Sequence, residues 1–250
     1  MGPSFPLATT TQISYIKANN MYGFIVNTIT VIVGGTIGFL AGGKLQDKYK
    51  TIVLQALGLI TILIGIRMAL KTQQVMIVVG SMVSGGLLGQ WLHIEEGLEK
   101  VGEYLKKKSR SKGGDFVLGF VTASLLFCVG PMTVVGSFED GLYGRADLIY
   151  IKSIMDGFAG MALAAALGSG VIFSAIFVFI YQGALTLLAH YFQNFLSEPV
   201  VNEISATGGV VLLGIAINLL GLAKIKVGNF LPALVLAGVI AWVVGYYGLF

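Results

Sequence analysis

Charged residues are scarce in this sequence, and their scarcity decides its class. Asp, Glu, Lys and Arg make up 11% of the 250 residues, whereas about 25% is typical of a soluble globular domain. Apolar residues make up 56%, and the mean hydropathy is +0.86. The few charges fall in short clusters between long apolar runs. This pattern predicts an all-α, polytopic membrane protein.

Cysteine is almost absent as well, since Cys128 stands alone. A single cysteine excludes a disulfide within the chain and disfavours a metal cluster. The two histidines lack the spacing of a zinc site, and the sequence contains no HExxH, GxSxG or P-loop motif. We therefore expect no enzyme activity, no metal and no cofactor. The net charge of +4 follows membrane topology, as shown below, so we expect no nucleic-acid partner.

The apolar runs predict eight membrane spans, because about 17–25 residues cross a bilayer core as a helix. Seven spans with a re-entrant element is the alternative, since only Gly168, Ser169 and Gly170 separate spans five and six. Residues 1–20 lie outside the pattern, and we expect a poorly ordered extension before a single transmembrane domain, 21–250. The expected spans are about 22–43, 52–71, 74–92, 116–138, 149–168, 171–193, 204–222 and 228–249.

The basic residues indicate an orientation for these spans. Eleven of the 16 Lys and Arg fall in the loops after spans one, three and seven. The positive-inside rule places those loops in the cytoplasm and both termini outside. The polar stretch 94–115 carries apolar residues at helical spacing, which predicts an amphipathic connector on the cytoplasmic surface.

Span four contains a predicted break at Gly130–Pro131, with the polar residues Thr122 and Ser124 about two turns earlier. Proline has no N–H to donate, and its ring clashes with the carbonyl of Phe127. Backbone groups freed inside a membrane need a partner in protein or in a wet cavity. Broken helices of this kind form binding sites in transporters. The alternative is a kink that only shapes packing.

Asp156 is the only acidic residue inside an expected span, and Lys152 lies one helical turn earlier. Intramembrane carboxylates usually face the bundle interior and serve a function, so we predict that Asp156 binds a cation or proton. The alternative is a structural Lys152–Asp156 pair. Asn27, Gln182 and Asn218 are amides in spans one, six and seven. They are predicted either to support the site or to join helices by hydrogen bonds.

Two weaker patterns concern the arrangement of the spans. Residues 63–66 resemble 212–215, and 84–87 resemble 236–239, which predicts an inverted repeat of the kind found in secondary transporters. Small residues also recur every four positions, as in Gly34, Gly38 and Gly42. They let helix backbones approach closely, either inside one chain or in a homo-oligomer.

Several segments resemble, in order over about residues 21–240, the family of uncharacterised bacterial inner-membrane proteins to which YdfK and YqgA belong. The resemblance implies a multi-pass protein of the bacterial cytoplasmic membrane, in a family of unknown function loosely described as transport proteins. It supplies no substrate and no site, and the leader 1–20 departs from it. The matching segments are VNTITVIVGGTIG, LQALGLITILIGIRMALK, GFVTASLLFCVGPMTVVGSFEDGL, KSIMDGFAGMALAAALGSGVIFSA, YQGALTLLA and ATGGVVLLGIAINLLGLAKIKVGNFLPAL.

The sequence therefore favours a small secondary transporter or channel-like permease for a small solute or ion, with a cation indicated by Asp156. The expected partners are the lipid bilayer, that solute and, as an option, a second copy of the chain. A non-transporting membrane scaffold or accessory subunit is the alternative, and an intramembrane enzyme is the poorest third choice. Convergence of the polar side chains on one hollow beside the Gly130–Pro131 break would favour transport.

Overall fold

The computed structural model describes residues 22–43, 45–109, 115–192, 195 and 197–247, and these residues form helices joined by short turns. The expected all-α polytopic bundle is confirmed. The leader 1–20 lies outside the described residues. The elements are α1 (Gly23–Gly42), α2 (Asp47–Ala69), α3 (Val75–Trp91), α4 (Ile94–Lys108), α5 (Phe116–Cys128), α6 (Pro131–Tyr143), α7 (Asp147–Leu167), α8 (Gly170–Phe192), α9 (Glu198–Leu219), a 3-10 turn (Val227–Phe230) and α10 (Leu231–Tyr246).

Six of the described segments are long and apolar enough to cross a membrane on their own: α1, α2, α7, α8, α9 and the 3-10 turn with α10. Two bent pairs raise the number to as many as eight, since α3 meets α4 at 52° and α5 meets α6 at 60°. The predicted eight spans correspond to this upper count. Gly168, with φ of +87°, separates α7 from α8, so expected spans five and six are separate helices.

The α5–α6 pair runs along the whole of α8, which identifies it as one broken crossing. At its start, Phe116 packs its carbonyl against Gly170, the first residue of α8. Near its end, Gly141 packs against the carbonyl of Thr186, four turns further along α8. A re-entrant loop would return to the side from which it came, whereas this pair begins and ends at opposite ends of its neighbour.

The break falls at the predicted residues. Gly130 is extended, with ψ of 147°, and Pro131 is the first residue of α6, a position where proline costs no hydrogen bond. The hydroxyl of Thr133 donates to the carbonyl oxygen of Phe127 at 2.9 Å. A side chain thus satisfies the backbone acceptor that the proline would otherwise leave unpaired in an apolar environment.

Glycines bring α1 and α7 into backbone contact. A Cβ added to Gly34, Gly38 or Gly42 would clash with the carbonyl of Gly157, Met161 or Ala165 respectively. Because both series of numbers rise together, the two helices run in the same direction. We call the end of the bundle where α1 and α7 begin the near end, and the opposite end the far end.

Two further pairs pack in opposite directions. On α2, Gly58 lies against Leu220 and Gly65 against Gly209 of α9. On α3, Gly85 lies against Ala233 and Gly89 against the carbonyl of Asn229. The same directions are expected if the chain crosses the membrane eight times in alternating directions, because an odd-numbered span and an even-numbered span are then antiparallel.

Among the six segments that are long enough to cross a membrane on their own, α9 is the most enclosed: it is 67% buried over its apolar stretch, compared with 22% for α2. It begins at Glu198, six residues before the expected start of span seven, and so carries Glu203 inside the helix. Glu203 is wholly buried and accepts hydrogen bonds from the hydroxyl of Thr72 and the backbone N–H groups of Gln73 and Gln74, at 2.7, 2.7 and 3.1 Å.

The expectation that Asp156 is the only acidic residue within a span is therefore wrong. Glu203 lies inside α9 and Asp140 lies inside α6, and both side chains are wholly buried. The error came from the helix boundaries, because both residues were assigned to loops on the basis of the polar residues around them.

The connector helix α4 lies at the far end, beside the start of α5. Its Gly102 faces Val117 and Phe120, while Leu98 and Leu105 pack against the apolar core around Phe120. The predicted apolar stripe is thus used to hold α4 against the bundle.

Polar contacts fasten α4 to the 3-10 turn before α10. Glu95 accepts a hydrogen bond from the N–H of Gly228 at 2.5 Å, and its own N–H donates to Asn229 at 2.8 Å. Burial raises the pKa of Glu95. Glu96 pairs with Lys226 at 2.5 Å, and this contact lowers the pKa of Glu96 and raises that of Lys226.

The α1–α7 contact makes a prediction about stability. Gly38→Ala should destabilise the fold by about 1–3 kcal/mol, because its methyl group overlaps a backbone carbonyl that has nowhere to move. Gly160→Ala in the same interface is the matched control, since its Cβ would lie 3.7 Å or more from its neighbours. Thermal unfolding in detergent measures both; equal melting temperatures for the two variants would contradict the packing described.

Candidate functional site: a buried polar network

Four polar side chains from three helices meet inside the near half of the bundle, and we call them the polar network: Asn27 of α1, Lys152 and Asp156 of α7, and Gln182 of α8. The Nδ2 of Asn27 donates to Oδ2 of Asp156 and to Oε1 of Gln182, both at 3.0 Å. The ammonium of Lys152 donates to the same Oδ2 of Asp156. All four are buried, and Asp156 is the most exposed at 8%.

The direction of each hydrogen bond follows from the carboxylate. An ionised carboxylate only accepts, so the amide nitrogen of Asn27 must face Asp156. The same nitrogen then requires the oxygen of Gln182 as its second acceptor. This leaves Oδ1 of Asn27 and Nε2 of Gln182 without a protein partner among the described residues.

The charges of the network balance each other, but removing either charged group should cost several kcal/mol of stability. Lys152 and Asp156 compensate each other in surroundings of low dielectric constant, where an unpaired charge costs several kcal/mol. The ammonium also lies 6.0 Å from the ring centroid of Phe127, within the range of a cation–π contact. Since Phe127 is in the last turn of α5, the broken helix touches the network through this ring.

The network's depth follows from helix geometry. Asp156 is nine residues into α7, roughly 14 Å along the axis at 1.5 Å per residue. Its side chain points back toward the start of α7, where the parallel helix α1 presents Asn27. Asp156 and Asn27 are thus enclosed by protein and do not face lipid.

The other predicted site residues lie outside the network. Gly130 and Pro131 are half-buried, and a Cβ on Gly130 would meet nothing within 4 Å, so the break borders open space. Thr122 and Ser124 are buried on α5, and no hydrogen bond joins them to Asp156 in the described part of the chain. The Oγ of Ser124 has no partner there.

Asn218 has a different role from the one expected. Its side chain donates to the carbonyl of Ile225 and accepts from the N–H of the same residue, both at 2.8 Å. It therefore fixes the loop after α9 at the far end. The polar candidates come from five expected spans. The structure brings together only those of the three helices α1, α7 and α8, beside the ring of Phe127.

Sequence reasoning missed three buried polar residues near the network: Ser137 and Asp140 of α6 and Thr186 of α8. Each is at most 1% exposed. The available signal was the spacing of Thr133, Ser137 and Asp140, which places them on one face of a helix.

Two apolar cavities among the described residues lie outside the network. One holds about 420 Å³ and is lined by Leu88, Phe177, Tyr181 and residues of α10. The other holds about 250 Å³ and lies between α1 and α7, lined by residues such as Ile29 and Phe158. Neither is lined by any of the four network residues, so both resemble lipid-facing grooves.

The buried ion pair makes a prediction about stability. Asp156→Leu should destabilise the fold by about 3–5 kcal/mol, because it leaves the ammonium of Lys152 buried without a counterion. The double variant Lys152→Met with Asp156→Leu should recover most of the loss. Unfolding in detergent measures both, and a double variant as unstable as the single one would exclude an ion pair as the origin of the effect.

Comparison with known proteins gives the chain a family. The family model described as "Protein of unknown function (DUF554)" matches residues 22–242. The uncharacterized membrane protein YdfK of Bacillus subtilis is 30% identical over 233 residues, covering 92% of this chain and 99% of YdfK. The uncharacterized protein YqgA of Escherichia coli is 28% identical over 220 residues, covering 86% and 94%. No solved structure matches. The chain is a membrane protein that belongs to the DUF554 family of unknown function.

Proposed function

We propose that the protein is a small secondary transporter or channel-like permease of the bacterial inner membrane, with the polar network as its substrate or ion site. The supporting observation is the hydrogen-bonded contact of Asn27, Asp156 and Gln182 from three separate helices. Ionisable residues inside membrane bundles usually belong to ion or proton pathways. In a membrane bundle with no such function, apolar residues in place of the buried ion pair would give equal or greater stability.

The substrate class we propose is a small cation or a proton. Asp156 supplies the negative charge, and Lys152 acts as an internal cation that holds the site when no substrate is bound. An arriving cation competes with the ammonium for Oδ2 of Asp156, and an arriving proton removes the charge that retains Lys152. In either case the unpartnered Oδ1 of Asn27 is available as a further oxygen ligand.

The α5–α6 break supplies the proposed moving part. Open space beside Gly130 and the side-chain partner for the carbonyl of Phe127 let the angle between α5 and α6 change without stranding a backbone acceptor. The proposed inverted repeat fits the antiparallel contacts of α2 with α9 and of α3 with α10. Such repeats commonly rock against each other around a central site.

A membrane scaffold or accessory subunit is the second candidate. Two observations favour it. The hydrogen bonds of the polar network can serve simply to join helices, and the two cavities are apolar. In that case the polar network holds α1, α7 and α8 together, and a partner occupies the exposed apolar faces. Loss of uptake in the double variant Lys152→Met with Asp156→Leu, which should keep most of the wild-type stability, separates the two candidates.

Uptake into proteoliposomes tests the transport proposal. With a panel of monovalent and divalent ions and small amines, Asp156→Asn should abolish any uptake that the wild-type protein supports, because it removes the only negative charge of the network. Asp147→Asn is the matched control, since Asp147 is exposed on the same helix. Full uptake by Asp156→Asn, with its fold intact, would leave Asp156 a structural role only.

The proposed orientation is tested by reporter fusions. We expect both termini outside and α4 in the cytoplasm, because the loops after spans one, three and seven carry most of the basic residues. Alkaline phosphatase should be active when fused after Phe250, and green fluorescent protein should fluoresce when fused after Ser109. The reverse pattern would invert the topology without altering the fold.

A further inference from the structure

A second row of buried polar side chains lies on α6, in the near half of the bundle. On α6, Thr133, Ser137 and Asp140 follow one another on one helical face, and none is exposed to solvent. At the near end, Oδ2 of Asp140 accepts a hydrogen bond from the N–H of Gly23 at 3.0 Å. Asn27 of the network lies one turn further along the same helix α1.

The facing side of this row comes from α8. Gly141 of α6 packs directly against the carbonyl of Thr186, so α6 and α8 are in backbone contact beside Asp140. Thr186 lies one turn from Gln182 on α8, as Ser137 lies one turn from Gly141 on α6. Moving one turn deeper along α6 and α8 therefore leads from Asp140 and Thr186 to Ser137 and Gln182. We call Ser137, Asp140 and Thr186 the entry path.

The entry path and the network share an unusual feature, which is a concentration of polar atoms without partners. Buried polar groups in proteins are nearly all hydrogen-bonded to protein or to ordered water. Within the described residues seven buried side-chain atoms lack a protein partner, and five of them belong to this one region. These five are Oδ1 of Asn27, Oγ of Ser137, Oδ1 of Asp140, Nε2 of Gln182 and Oγ1 of Thr186.

The chemistry of the five atoms identifies their missing partner. A metal cation binds atoms that offer it a lone pair, whereas Nε2 of Gln182 is purely a hydrogen-bond donor. The amide and carboxylate oxygens are acceptors, and the two hydroxyls can serve as either. A molecule that both donates and accepts hydrogen bonds satisfies the whole set, and water is that molecule.

We infer that the entry path is a water-filled half-channel, which gives Asp156 aqueous contact with the near end of the bundle. A proton from that side can then reach Asp156, where an O–H bond forms as one in a hydronium ion breaks, and the neutral carboxyl releases the ammonium of Lys152. The delivery of protons to Asp156 rests on the proposed transport function, whereas the presence of water in the entry path does not.

Cysteine accessibility tests the half-channel. A positively charged, membrane-impermeant methanethiosulfonate reagent is applied to right-side-out and inverted vesicles that carry single-cysteine variants in a Cys128→Ala background. Ser137→Cys and Thr186→Cys are close in size to the native residues and preserve the fold. Val178→Cys is the matched dry control, because Val178 is wholly buried in the apolar core on the same helix as Thr186.

Two exposed positions report the sides, Tyr143→Cys for the near end and Ser109→Cys for the far end. Thiols react as thiolates, which form in water and not in apolar surroundings, so both entry-path variants should react at least about tenfold faster than Val178→Cys. They should do so only from the side that labels Tyr143→Cys. Melting temperatures confirm that every variant is folded.

The outcomes separate this inference from the transport proposal. Labelling of Ser137→Cys and Thr186→Cys from the near side supports the half-channel, whether or not any substrate is taken up. Labelling no faster than Val178→Cys in folded protein overturns it, and so does labelling from the far side. Loss of uptake in Asp156→Asn, measured separately, bears on transport alone.

Discussion

The buried ion pair of Lys152 and Asp156 constrains the packing of the helices around it. Asp156 lies roughly 14 Å along α7 from its first residue, and Lys152 lies one turn nearer that end. Both are buried in an apolar bundle, where neither charge is tolerable alone. Their burial requires α1 to supply a donor from Asn27 and α8 to supply an acceptor from Gln182. It also requires α1 and α7 to lie in backbone contact, which the glycines of α1 allow. Close helix packing and the polar network are therefore parts of one arrangement.

The broken helix and the network are neighbours that meet through an aromatic ring. Phe127 faces the ammonium of Lys152, and its backbone carbonyl is held by Thr133 across the break. A change in the angle between α5 and α6 would thus shift the ring beside the charge. Conversely, loss of the charge on Lys152 or Asp156 would alter what the ring packs against. The contact gives the backbone break and the ion pair a direct means of influencing each other.

The sequence was sufficient for the fold class and for the break at Gly130–Pro131, because composition and proline chemistry are local signals. It named Asn27, Gln182 and Asp156 as candidates but left open whether they meet, since that depends on how distant helices pack. It failed at Asn218, since an amide near a helix end bonds equally well to a loop, and only the path of the loop to Ile225 decides this. It also failed at Asp140 and Glu203, because helices continued past the points where the apolar pattern ended.

The clasp between α4 and the 3-10 turn has a mechanical consequence. Glu95 and Glu96 tie the middle of the chain to Gly228 and Lys226, beside its last helix. At the near end, Glu203 likewise ties the start of α9 to the turn after α2. Carboxylates therefore cross-link helices at both ends of the bundle. A rearrangement that keeps both sets of contacts has to bend the chain between them, and the α5–α6 break lies there.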